Sequence, residues 1–128
     1  MSYFYARTVN LSFDDAIQRV TETLKEEGFG ILTEIDVKET LKKKLDVDFR
    51  PYRILGACNP PFAYKALQTE IHVGTMLPCN VVVQELPSGE VEIAAVDPVA
   101  SMQAIDNAEL RSIAEEIRQK LRRAVDAV

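Results

Sequence analysis

Apolar and polar positions along this chain recur with two different periods, and the changes of period mark its elements. Aromatic and β-branched residues crowd the segment Tyr3 to Val9, the mark of a strand. Phe13, Ile17, Val20 and Leu24 then follow at spacings of four, three and four, which is one face of a helix. Ser12, with Asp15 as its partner in a variant capping box, starts that helix, and Gly28 supplies a left-handed stop. Phe29 to Ile35 predicts a second strand. Asp36 with Glu39 repeats the capping signature, and Val37, Leu41 and Leu45 outline a short helix whose Lys42, Lys43 and Lys44 face water.

A third strand is expected over Tyr52 to Ala57, stopped by Pro60 and Pro61. Prolines cannot continue a strand, but they suit the first turn of a helix, where their missing N–H groups would be unpaired anyway. Asn59 is then the natural N-cap, and Phe62, Ala63, Ala66, Leu67 and Ile71 form the face expected to be buried, with Gly74 and Pro78 ending the segment. Cys79 to Leu86 and Val91 to Val96 predict two strands joined by the turn Pro87-Ser88-Gly89. Met102 falls in a loop or a single helical turn after Asp97-Pro98. Asn107 caps a last helix with Leu110, Ile113, Ile117, Leu121, Ala124 and Val125 along one stripe.

The order β-α-β-α-β-α-β-β-α contains no linker, so one domain over residues 1–128 is expected. An α+β fold fits best, with a mainly antiparallel sheet and helices packed on one face. A mixed α/β sandwich is the alternative.

Composition narrows the function classes. Of 128 residues, 47% are hydrophobic and 27% charged, the balance of a globular chain, and no apolar run reaches the length of a membrane span. Arg7 interrupts the N-terminus before a signal-peptide core could form, so a cytoplasmic location is expected. The net charge of -5 disfavours nucleic acid, whose phosphates require an excess of Lys and Arg. The basic residues Arg118, Lys120, Arg122 and Arg123 read as a solvated face that complements the helix dipole. Two cysteines are too few for a disulfide framework, and the single histidine, His72, late in a helix beside Glu70, reads as a surface residue.

Templates for catalysis fail: the chain has no GxSxG elbow, no P-loop and no GxGxxG after a strand. Chemistry could sit only where strand ends collect polar or thiol groups, at Cys58-Asn59, Cys79-Asn80 and Asp97. A hairpin turn centred on Ser88 places Cys79 opposite Asp97, whereas a four-residue loop would place Asn80 there. Cys58 joins them if its strand runs antiparallel to the one that starts at Cys79, and lies at the far end if the two are parallel. Its place before a helix N-terminus could favour a thiolate, although a free cysteine more often packs as a small hydrophobe. Asp97 before Pro98 is also an ordinary turn initiator. Three mixed ligands without close spacing do not predict a metal site.

The strings Tyr52-Arg53-Ile54-Leu55-Gly56-Ala57-Cys58-Asn59-Pro60, Leu77-Pro78-Cys79-Asn80-Val81 and Val96-Asp97-Pro98, with Ile31 to Val37, resemble the bacterial and archaeal family "domain of unknown function 302". The resemblance covers nearly the whole chain. It implies a compact α+β fold similar to the TATA-binding-protein-like arrangement, an antiparallel sheet that brings the two cysteines to one end, and a homodimer. It implies no reaction, substrate or cofactor, and a shared fold would not confer DNA binding. Two functions are therefore weighed. The preferred one is a non-catalytic homodimer that binds a small ligand or a protein partner at Cys58, Asn59, Cys79, Asn80 and Asp97. The other is a thiol-dependent redox or sensor protein, with Cys58 reactive and Cys79 resolving. Nothing in the sequence supplies a general base for the second.

Overall fold

Five strands are present in the computed structural model, which describes residues 2–128: β1 (Phe4–Val9), β2 (Gly30–Asp36), β3 (Tyr52–Cys58), β4 (Cys79–Glu85) and β5 (Val91–Val96). They form one sheet in the order β1-β5-β4-β3-β2, and every neighbouring pair is antiparallel. The sandwich alternative is thereby set aside. Side chains alternate across the strands, so Val81 and Val83 of β4 and Val91, Ile93 and Ala95 of β5 are buried on one face. Asn80, Val82 and Gln84 point to the other.

Helices α1 (Phe13–Glu26) and α5 (Ala108–Asp126) pack on the apolar face. Their ends follow the expected capping. Ser12 accepts a hydrogen bond from the Asp15 N–H and Asn107 from the Leu110 N–H, which satisfies groups that the helix itself leaves open. Gly28 has φ +88°, the left-handed conformation that ends α1 without strain on a Cβ. At the other end of α5, Arg7 of β1 donates to the carbonyl oxygens of Asp126 at 2.7 Å and Val128 at 3.0 Å.

The β4–β5 hairpin has the register predicted for a turn centred on Ser88. Val81 pairs with Ala95, and the Leu86 N–H donates to the Glu90 carbonyl at 2.7 Å.

Two apolar stripes of the sequence are covered only in part. Helix α2 (Val37–Leu45) is capped by Asp36 as expected and turns its lysines outward, yet none of its residues is fully buried and Leu45 is 66% exposed. It begins where the edge strand β2 ends, and it packs chiefly beside β3 and β2. Its exposed ion pairs, Lys43 with Glu39 and Lys42 with Asp46, add little stability. Helix α3 (Pro60–Thr69) stops short of Ile71, which is 80% exposed, and the chain buries Val73 in a 3-10 turn (Val73–Met76) instead. The stop is held from outside: the Asn107 side chain donates to the Thr69 carbonyl at 3.3 Å, and Glu70 leaves helical geometry. His72 therefore lies between the helix and the 3-10 turn rather than in a helix, with its side chain exposed.

A single-turn helix, α4 (Pro98–Ser101), follows β5. With α3, the 3-10 turn and the start of α5, it encloses a small second core of Ala66, Val73, Met102, Leu110 and Ala114. The main core, between the sheet, α1 and the rest of α5, includes Leu24, Leu55, Val81, Ile93, Leu121 and Val125.

Candidate functional site: an apolar cleft between two cores

Because β3 and β4 are antiparallel, Ala57 lies opposite Cys79, and Cys58 is the next residue along. Both thiols consequently sit at one end of the sheet. They are free, Cys79 buried and Cys58 half-buried. Burial pushes the Cys79 thiol up to about 11, with a smaller contribution from the neighbouring Cys58.

The other residues singled out in the sequence do not form one polar cluster with them. Asn80 faces the opposite side of the sheet and is exposed, because successive side chains on a strand alternate. Asn59 occupies the N-cap position of α3 without capping it. Its amide turns away and donates to the Glu27 carbonyl at 3.3 Å, joining the start of α3 to the end of α1.

Asp97 is buried, and its roles are internal. One carboxylate oxygen accepts from the N–H groups of Val99 at 2.9 Å and Ala100 at 3.3 Å, capping α4. The other lies 3.5 Å from Arg122 and 3.9 Å from Arg118. Those two arginines belong to the stretch expected to be a solvated face. A buried carboxylate needs compensating charge, and α5 supplies it.

The concave feature at this end of the sheet is apolar. A cleft of about 320 Å³ opens beside Cys58 and Cys79, between the main core and the small one. Phe62, Ala63 and Ala66 of α3 form one wall, and Leu110, Ala114 and Ile117 of α5 form another. The alanines matter because a short side chain at these positions leaves space that a leucine would fill. Leu77, Pro78, Pro98 and Met102 also line it. Pro78 is itself fixed over the sheet: a Cβ on Gly56 would come within 2.8 Å of its ring and would collide with the Thr33 hydroxyl. Only glycine lets the cis-linked Leu77-Pro78 segment lie so close to β3.

Two cations stand beside Phe62. The ammonium of Lys65, one helical turn on from it, is 5.5 Å from the centre of the ring, and that of Lys120, from α5, is 5.8 Å away. Neither forms an ion pair among the described residues. Reasoning from polar strand ends missed this arrangement, because a cleft lined by Phe62, Ala63 and Ala66 has the same apolar periodicity as a buried helix face. The run of small residues on that face was the available signal.

No described helix is long and apolar enough to cross a membrane, and no group of three or more acidic, cysteine or histidine residues able to hold a metal ion occurs among the described residues. No curated protein gives a match. Among solved structures, the crystal structure of the uncharacterized conserved protein DUF302 from Bacillus stearothermophilus is similar at 33% identity, covering 99% of this chain and 98% of that one, with a TM-score of 0.93. The family model described as "Domain of unknown function DUF302" matches residues 5–128, and the chain belongs to that family.

Proposed function

We propose that this chain is a non-catalytic binding protein that acts as a homodimer and holds a small apolar ligand in the cleft beside Cys58 and Cys79. One observation carries the reading. The cleft has the volume of a small-molecule site, and its walls are apolar side chains held by two separately packed cores. Water in such a space gains few hydrogen bonds, so an apolar molecule that displaces it is favoured. The neutral fluorophore N-phenyl-1-naphthylamine tests this directly. Saturable binding of one molecule per chain, lost in Ala63→Trp while circular dichroism is unchanged, is expected. A lack of saturable binding overturns the reading.

Dimerisation is supported by the face of the sheet that carries no helix. Phe4 and Ile35 are 42% and 48% exposed there, and Ile54, Val82, Ala94 and Val96 are half-buried between them. An apolar surface of this kind on a chain of net charge -5 suits a second copy better than a charged partner. Sedimentation of wild type as a dimer, and of Val82→Lys as a monomer, is the expected pair of results. Monomeric wild type at micromolar concentration excludes it.

The thiol reading draws support from the shared strand end of Cys58 and Cys79. It is the weaker of the two. With the Cys79 thiol at about 11, only about one molecule in ten thousand would carry that thiolate at pH 7. Native-state labelling settles the choice: rapid modification of Cys58 at neutral pH, lost in Cys58→Ser, would restore the redox reading.

A further inference from the structure

The face of the sheet that carries no helix is patterned in rows, because residues opposite each other on neighbouring strands point the same way. Its middle row runs from Ala6 through Ala94, Val82 and Ile54 to Ile35, with small side chains on β1 and β5 and bulky ones on β3 and β2. A recess of about 270 Å³ on this face is lined by Val82 and Ala94 but not by Ile54. The next row is charged. Gln84 lies on β4, with Glu92 on β5 to one side and Tyr52 on β3 to the other. Arg50, just before β3 and beside the Tyr52 ring, donates to the Gln84 side-chain oxygen at 2.9 and 3.1 Å. The Gln84 amide in turn donates to the Glu92 carboxylate at 3.1 Å. One amide therefore holds a cation on one side of β4 and an anion on the other. Both charged residues are half-buried, and neither forms an ion pair among the described residues.

We propose that a second copy of this chain covers this face about a two-fold axis that runs along β4, so that Arg50 of each copy pairs with the partner's Glu92. The inference rests on the homodimer reading above and adds its geometry. A face with one cation and one anion placed on either side of a central strand is complementary to itself. An axis along the strands keeps each row opposite the same row of the other copy and exchanges the two sides of β4. Arg50 then meets the partner's Glu92 at two symmetric places, and Ile54 meets the partner's Ala94 at the recess. Charge and volume are matched together. Packed sheets keep their strand directions within about 30° of each other, so the match holds best beside the axis, where these residues lie. An axis across the strands does the reverse. It sets Ile54 on Ile54 and Ala94 on Ala94, and it lays Glu92 against the partner's Val96, a charge taken out of water without a counter-charge.

Sedimentation equilibrium of Arg50→Glu and Glu92→Arg, each alone and then mixed, is the test. Alone, each variant sets like charges against each other at both symmetric places, and the dimer dissociation constant should rise about a hundredfold. Mixed in equal amounts, the two chains oppose unlike charges at both places, and a heterodimer should form about as tightly as the wild-type dimer. Both variants keep a net negative charge, so general attraction between them does not account for that recovery. Mixing also isolates the contact between chains, because a contact broken within one chain is not restored by adding another. Arg50→Gln and Glu92→Gln should each weaken the dimer about tenfold, and the double glutamine variant should be no weaker than either single one, as expected of two groups that face each other.

Monomeric wild type removes the homodimer reading and this inference with it. A wild-type dimer that neither charge reversal weakens overturns the axis and leaves the homodimer standing, joined through another surface. Weakening by both reversals without recovery in the mixture shows that Arg50 and Glu92 face other groups across the interface, and sinks the pairing. Where circular dichroism shows that a reversal variant has not folded, the glutamine variants decide: losses that multiply in the double variant, or no loss in either single one, overturn the proposal.

Discussion

Along α5 the packing changes character. Ile117, Leu121, Ala124 and Val125 belong to the main core, against Leu24 of α1 and Leu55 and Val81 of the sheet. Leu110 and Ala114, one or two turns earlier, belong to the small core with Ala66, Val73 and Met102. The main core rests on a hydrogen-bonded sheet that holds every facing side chain at fixed spacing. The small core is enclosed by short pieces: a ten-residue helix, a 3-10 turn and a single helical turn. Such pieces are fixed by a few caps rather than by a ladder, and they meet the sheet end without filling the space between. The cleft is that unfilled seam. The difference teaches that a candidate binding site can arise where two well-formed cores adjoin, without a dedicated polar motif.

Truncating a leucine in each core tests the contrast with the largest expected effect. Leu24→Ala leaves a hole among residues held by the sheet and should cost about 4 kcal/mol in urea unfolding, whereas Leu110→Ala should cost about 2 kcal/mol because its surroundings can relax into the cleft. Equal losses would show that the small core is packed as rigidly as the main one.

Cys79 lies on the border, buried in the main core while lining the cleft. Its thiol stays protonated in the folded chain until about pH 11, whereas in the unfolded chain it ionises near the ordinary thiol value of 9.0. The unfolded state is then the one that releases the proton first as pH rises. Its contribution to stability is present below pH 9 and is lost as pH rises toward 11, by about 2–3 kcal/mol. Comparing pH-dependent unfolding of wild type with Cys79→Ala isolates this slope. An unchanged slope in the variant would mean that water reaches the sulfur through the cleft.

The smallest effect is expected at Asp97. Asn in its place keeps an oxygen for the Val99 and Ala100 N–H groups but leaves Arg118 and Arg122 without their counter-charge. A loss of about 1 kcal/mol should appear mainly as faster hydrogen exchange in α4 and α3, with the strands little changed. Acceleration spread evenly over β4 and β5 would show that the carboxylate supports the sheet instead.

Local signals determined much of this molecule. Ser12 and Asp15, Asp36 and Glu39, and Asn107 announce helix starts, since capping is a matter of a few adjacent atoms. Alternation in Cys79–Glu85 and Val91–Val96, with a turn at Ser88, carried the hairpin register for the same reason. What lay beyond reach depended on partners distant along the chain. Whether Cys58 shares a sheet end with Cys79 was decided by the antiparallel pairing of β3 with β4, and Asn80 was set apart from Cys79 by the face on which β4 presents it. An apolar stripe states only that a face avoids water, not that anything arrives to cover it. The stripe of α2 stays largely uncovered at the sheet edge, while that of α3 lines a cleft because small residues on two helices meet there. The ammonium groups of Lys65 and Lys120 are 55 positions apart in sequence and share one aromatic ring only because α3 packs against α5. Packing between helices is decided by the summed shape of many side chains, and no short window of sequence contains that sum.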